Sequence, residues 1–233
     1  MTVAFRILAV VCAVLTLAGC ERGASYRYKL SLSLDTPNGV VSAYNVVEVR
    51  AFAVSIPARG VMSKVTGEAL FLDLGPGKRP LVALLTRRYP PLVPRPKADP
   101  RSTWGEKDPA GILDRLYTGN ARMPNYLDTI DRFAKFRGPR PIATFDLPDL
   151  VTFADVNDPY SAIAVDPDDL SATLGPGVSW RATTIEATDA PMTTGIEAKL
   201  PWVTDLNAIF AVRGVKSADN LIGQRDFKKK DSF

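Results

Sequence analysis

Ser25-Tyr26-Arg27-Tyr28-Lys29-Leu30-Ser31-Leu32-Ser33-Leu34 alternates without a break, with Tyr26, Tyr28, Leu30, Leu32 and Leu34 on one face and Arg27, Lys29, Ser31 and Ser33 on the other. Side chains of a strand point to opposite faces with a period of two, so this stretch predicts a half-buried strand. Thr36-Pro37-Asn38-Gly39 follows. Proline presets φ and Asn-Gly tolerates the left-handed region, so the strand is expected to reverse into a hairpin whose second arm is Val40 to Val54. The phase of that arm mixes near Tyr44-Asn45, which predicts a bulge. Leu70, Leu72 and Leu74 alternate again, Gly75 to Pro80 is a turn, and Leu81 to Leu85 reads as a fully buried strand. Residues 26–85 are thus expected to form an antiparallel meander of about four strands.

Outward from this meander the composition changes at residue 86. Residues 86–109 hold Pro90, Pro91, Pro94, Pro96, Pro100 and Pro109 among several cations, which excludes a helix or a central strand. Two readings stand: an exposed arm that presents Tyr89, Arg95 and Trp104 to cell wall or to another envelope protein, or a solvated excursion packed on its own sheet. Residues 110–137 form a helical insert, with helices over Ala110 to Tyr117 and Asn125 to Phe136. In the second, Leu127, Ile130, Phe133 and Ala134 face the core, and Asp128, Asp131, Arg132 and Lys135 face away. Residues 138–216 return to strand-like composition, including Ile142 to Ala154, Val178 to Thr188, Met192 to Ala198 and Ala208 to Val212. The polar tail, 217–233, ends in Arg225-Asp226-Phe227-Lys228-Lys229-Lys230 and reads as frayed. The predicted fold is α+β, mostly β: an antiparallel sheet with a small helical insert.

The N-terminus carries a different message. Arg6 supplies a positive start, Ile7 to Ala18 an apolar run, and Leu17-Ala18-Gly19-Cys20 the lipobox pattern, a leucine and two small residues ahead of a cysteine. A helix of twelve residues spans about 18 Å, short of the roughly 30 Å hydrocarbon core, so a permanent transmembrane helix is disfavoured. The segment resembles the type II signal peptides of bacterial lipoproteins over residues 1–20. That resemblance implies a signal peptide of residues 1–19, a lipid (palmitate among its acyl chains) on Cys20, and a short tether of residues 20–25. Two or three acyl chains make attachment effectively lasting where one does not. Glu21, rather than Asp, after the cysteine leans the expected address to the outer membrane, facing the periplasm.

Chemistry is bounded by what the chain lacks. Histidine is absent, which removes Ser-His-Asp and Cys-His catalysis and the common zinc sites. Cys12 would leave with the signal peptide and Cys20 would be consumed by lipid, so no disulfide is expected. The formal charge is +4 and loses one with Arg6, too balanced for a nucleic-acid binder. Asp155-Val156-Asn157-Asp158 and Asp166-Pro167-Asp168-Asp169 offer oxygen ligands but miss the EF-hand order, and capping is their expected role. Paired carboxylates among Asp146, Asp149 and Asp155 leave a histidine-free hydrolase of wall material, or a Ser-Lys pair, as the alternative. The segments Phe153 to Pro159 and Thr193 to Trp202 are similar to uncharacterised proteobacterial envelope proteins, a resemblance that implies no activity. The expectation is a non-enzymatic binding or scaffold lipoprotein with no catalytic residue, no cofactor and no metal.

Overall fold

A computed structural model describes residues 23–54, 60–87, 91–94, 109–119, 126–133, 135–204, 209–215 and 220–229. The strands among them are β1 (Gly23–Thr36), β2 (Gly39–Val54), β3 (Gly60–Glu68), β4 (Leu70–Leu72), β5 (Leu81–Ala83), β6 (Arg140–Pro141), β7 (Leu150–Phe153), β8 (Ala162–Ala164), β9 (Ser179–Ala187), β10 (Ile209–Ala211), β11 (Leu221–Gly223) and β12 (Lys228–Lys229). The helices are α1 (Ala110–Thr118), α2 (Tyr126–Phe133), α3 (Ser171–Leu174) and α4 (Gln224–Phe227). The fold is α+β and mostly antiparallel β.

The opening hairpin forms as its sequence dictates. β1 and β2 pair from Gly23↔Phe52 to Thr36↔Gly39, leaving Pro37-Asn38 as the turn, and Gly39 takes φ 113°, a conformation that favours glycine. Thr36 Oγ1 closes the turn by donating to the Gly39 carbonyl at 2.7 Å and accepting from the Asn38 N–H at 3.2 Å. Ala24, Tyr26, Tyr28, Leu30, Leu32 and Leu34 are all buried on one face.

The register of that pair is unbroken, so the bulge expected at Tyr44-Asn45 does not exist there. The mixed pattern has another cause: residues 45–49 of β2 are buried on both faces. Val46, on the face away from the main core, donates its N–H to Thr193 Oγ1 at 2.9 Å and accepts from the Thr193 N–H at 3.1 Å. This also corrects the strand expected at Met192 to Ala198. That segment is an extended cover ending in a 3-10 turn at Ile196–Ala198, and its β-favouring residues are spent on β2 rather than on a ladder. The bulge lies between β1 and β9, where Ser33 faces Ala182 and Leu34 faces Trp180, and the extra residue Arg181 reaches Asp35 at 3.1 Å.

The expected single meander divides between two sheets. β1, β2 and β3 belong to a six-stranded sheet of order β12-β3-β2-β1-β9-β6, whereas β4 and β5 join β7 and β8 in a second sheet of order β4-β5-β7-β8. The β2–β3 ladder ends at Thr66, just before Gly67, whose φ is 148° and where a Cβ would meet Val47 Cγ2 at 3.1 Å. Only glycine fits that approach. The first core lies between the six-stranded sheet and the helices, with Leu32, Leu34, Ile112, Leu113, Ile130 and Phe133 fully enclosed. α2 turns Leu127, Ile130 and Phe133 inward and Asp128, Asp131 and Arg132 outward, as its spacing predicts.

The tail is the largest departure. Among the described residues 220–229, β11 pairs with β10, α4 follows directly, and β12 adds to the edge of β3 through Lys228↔Glu68 and Lys229↔Gly67. Phe227 is fully buried in the second core with Phe153, Val203, Phe210 and Ile222. Over residues 220–229 the tail is therefore docked and not frayed, because Phe227 enters the core and carries the two lysines after it onto β3. No helix among the described residues is long and apolar enough to cross a membrane.

Candidate functional site

The residues singled out for anchoring, Leu17, Ala18, Gly19 and Cys20, and those singled out for partner binding, Tyr89, Arg95 and Trp104, lie outside the described residues. The structure does define the ground from which each group projects. β1 begins at Gly23, three residues after Cys20. The proline-rich segment leaves the second sheet at Leu85 to Arg87 and is described again at residues 91–94.

Both of those footings are pinned to Asp149, which is fully buried at the entrance to β7. Its carboxylate accepts the Leu92 N–H at 3.3 Å, its N–H donates to the Thr86 carbonyl at 3.4 Å, and its carbonyl accepts the Leu84 N–H at 2.9 Å. Leu92 is itself buried. Arg87 donates to the Phe145 carbonyl at 3.4 Å; burial pulls its guanidinium below the ordinary value, while the charges of Asp149 and Asp146 act the other way.

Asp146 continues the network. It sits in a 3-10 turn at Thr144–Asp146, is buried, and takes an ion pair from Arg115 of α1 at 2.6 Å. Its neighbour on α1, Asp114, is fully buried and faces Arg132 of α2 at 3.5 Å, while Thr118 Oγ1 donates to it at 3.1 Å. Arg132 also donates to Thr129 Oγ1 at 3.1 Å. Three buried carboxylates and three arginines therefore join the helices to the root of the proline-rich segment. Composition placed Asp146 and Asp149 among candidate carboxylates, but Arg87, Arg115 and Arg132 were missed, because no local spacing links them to those acids.

A second charged cluster holds the chain's end. The Lys228 ammonium lies 2.7 Å from Glu68 Oε1 and is paired with Glu197, and Glu68 Oε2 accepts the Ile196 N–H at 2.8 Å. Burial alone would lower the Lys228 pKa, but its hydrogen bonds to Glu197 and Glu68 outweigh that and raise it. Thr86 Oγ1 donates to Asp226 at 3.0 Å and the Leu85 N–H to the Asp226 carbonyl at 2.9 Å, so α4 braces the same root from its other side.

The two aspartate-rich segments are turns. Asp155, Asp158 and Asp166 each accept the N–H two residues on, at 2.8 to 2.9 Å. Helix α3 has Leu170 at its N-cap, and the side chain that reaches its first turn is Asp169, one residue earlier, which accepts the Ala172 N–H at 3.1 Å; Asp166 does not cap it. Among the described residues no group of acids is arranged to hold a metal ion. Asp155 is exposed while Asp146 and Asp149 are buried, so the three do not face one opening. A small hollow beside the first hairpin turn, between Pro37, Leu74, Lys78, Leu174 and Val178, holds about 10 Å³, room for one water. No family model matches the chain, and comparison with curated proteins and with solved structures finds no similar one.

Proposed function

We propose that the chain is a lipid-anchored lipoprotein of the bacterial envelope, held at the outer membrane and facing the periplasm, that binds or scaffolds an envelope component. The observation that carries this reading is the position of Leu17-Ala18-Gly19-Cys20 directly ahead of the first strand. Three residues reach at most about 11 Å, so a lipid on Cys20 holds the sheet against the bilayer rather than on a long leash. The charge pattern supports scaffolding over carboxylate chemistry: Asp146 is spent on Arg115, Asp114 on Arg132, and Asp149 on the backbone that footings the proline-rich segment. That segment, with Tyr89, Arg95 and Trp104, is the proposed contact for cell wall or an envelope protein, and it springs from a base fixed on two sides. The test is radiolabelled palmitate in intact cells. Label is expected on the wild-type chain and not on Cys20→Ala; label that survives the substitution overturns the anchor. Crosslinking in the same cells is expected to capture a wall fragment or an envelope protein with the wild-type chain only, and equal capture by the unanchored variant removes the scaffold reading.

A further inference from the structure

The first hairpin leaves part of β2 without a neighbour on one side. β1 pairs along the whole of β2, but β3 pairs only with residues 48–54. In an antiparallel ladder the N–H and C=O of alternate residues point away from the partner strand. Val46 shows which set does so here, because its N–H and C=O bond to Thr193. Tyr44, Ser42 and Val40 follow in the same phase of an unbroken register, and among the described residues their outward N–H and C=O groups have no partner. All three residues are exposed, Val40 by 52% and Tyr44 by 58%.

Other edges of this sheet are blunted: β9 carries the bulge at Arg181, β6 ends in Pro141, and β12 consists of Lys228 and Lys229. The Val40-Val41-Ser42-Ala43-Tyr44 edge has no proline and no bulge, and no charged residue lies between Thr36 and Val47. We infer that this edge pairs antiparallel with the same edge of a second copy, across a two-fold axis at Ser42. That register sets Val40 opposite the partner's Tyr44 and Ser42 opposite the partner's Ser42. Each copy offers three outward N–H and three outward C=O groups, and all of them bond across the axis. On the outer face each valine lies beside a tyrosine, a β-branched and aromatic pair that favours strand pairing and covers both exposed apolar side chains. The match of Val40 to Tyr44 at equal distances from Ser42, with no charge to oppose it, selects a second copy as the occupant. Such a short edge is a small interface, so association is weak and depends on concentration. The pairing needs no lipid anchor and goes beyond the scaffold reading.

The test is hydrogen exchange of the full-length chain, read amide by amide up to roughly millimolar protein, with sedimentation reporting the mass. In the monomer the Val40, Ser42 and Tyr44 amides exchange fast, and those of Val41, Ala43 and Asn45, which face β1, exchange slowly. The expected result is that the first three slow about tenfold or more as the mass doubles. Ser42→Lys sets two like charges against each other at the axis and is expected to keep monomer mass and fast exchange, with circular dichroism checking its fold. Ser42→Cys is expected to form an intermolecular disulfide under mild oxidation, because residues facing each other in an antiparallel pair have Cα atoms about 5.5 Å apart. Ser25→Cys, exposed on the same face but away from this edge, is the control. Monomer mass at every concentration overturns the second copy and leaves the edge to a strand of another protein. A dimer that survives Ser42→Lys, one whose three amides stay fast, or equal crosslinking at Ser25→Cys also overturns it.

Discussion

Replacing Phe227 by alanine separates a docked chain end from a frayed one. The ring is fully buried, 4.9 Å from Trp202 in an edge-on contact, 6.0 Å from Phe153 and 6.1 Å from Phe210. Its neighbours cannot easily close the gap: Trp202 is fixed by its Nε1–H donating to the Val156 carbonyl at 3.0 Å, and Phe153 belongs to β7. Phenylalanine-to-alanine changes in cores cost about 3–5 kcal/mol, and a site that resists collapse falls in the upper half of that range, near 4 kcal/mol. With a urea dependence of about 3 kcal/mol per molar, the unfolding midpoint is expected to fall by about 1.3 M. Tryptophan emission is the assay, since Trp202 loses its neighbour directly. Phe227→Leu keeps most of the volume and is expected to cost less than about 1.5 kcal/mol. A residue in a solvated tail would cost under about 0.5 kcal/mol, so a midpoint shift below about 0.2 M refutes the docked end.

Asp146→Asn removes one partner of the pair with Arg115; breaking a buried pair costs about 3–5 kcal/mol, and the 31% exposure of Arg115 places this one near the lower limit, measured again by urea unfolding. A loss under about 1 kcal/mol would show that the network does not hold the helices to the root of the proline-rich segment. Alkaline titration tests the other end of the chain. Lys228 and Tyr117 both have raised pKa values, Tyr117 mainly through burial, so each holds its proton more tightly folded than unfolded. Their contribution to stability is complete below the unfolded values of about 10.4 and 10, and is lost as pH rises through the folded ones. The unfolding midpoint is expected to stay level from pH 7 to about 9.5 and to fall above that, with a shallower fall in Lys228→Met and in Tyr117→Phe; an unchanged slope in the double variant would contradict the assignment.

Legibility followed the range of the interactions. The first hairpin was readable because a one-sided strand writes its burial as a period of two, and Pro37-Asn38-Gly39 writes its own turn. α2 was readable for the same reason at helical spacing. At residues 45–49 of β2 a second face is covered by Thr193 and its neighbours, and a pattern that records one buried face turns into an apparent phase error. The division of the meander depended on Gly67 closing on Val47, a contact between strands that glycine content alone does not announce. Acids were easy to find and hard to interpret. Asp149 is legible as a carboxylate, but its role follows from Leu92 and Arg87, more than fifty positions away.

Lys228 shows why such misreadings take one direction. A lysine in a basic run is read as solvated because its free energy in water is the default, and the default fails only where carboxylates replace the lost hydration. Glu68 and Glu197 do so here, from 160 and 31 positions away, and Glu68 is separately tied into the fold through the Ile196 N–H. Phe227 alone would be an apolar residue seeking a core, and Lys228 alone a charge seeking water. Adjacent, they compel the chain to enter the interior and to find acids at its border, which β12 on the edge of β3 provides. The same strand pairs with the last two residues of β3 and closes that part of an edge whose open backbone would otherwise invite pairing with another chain.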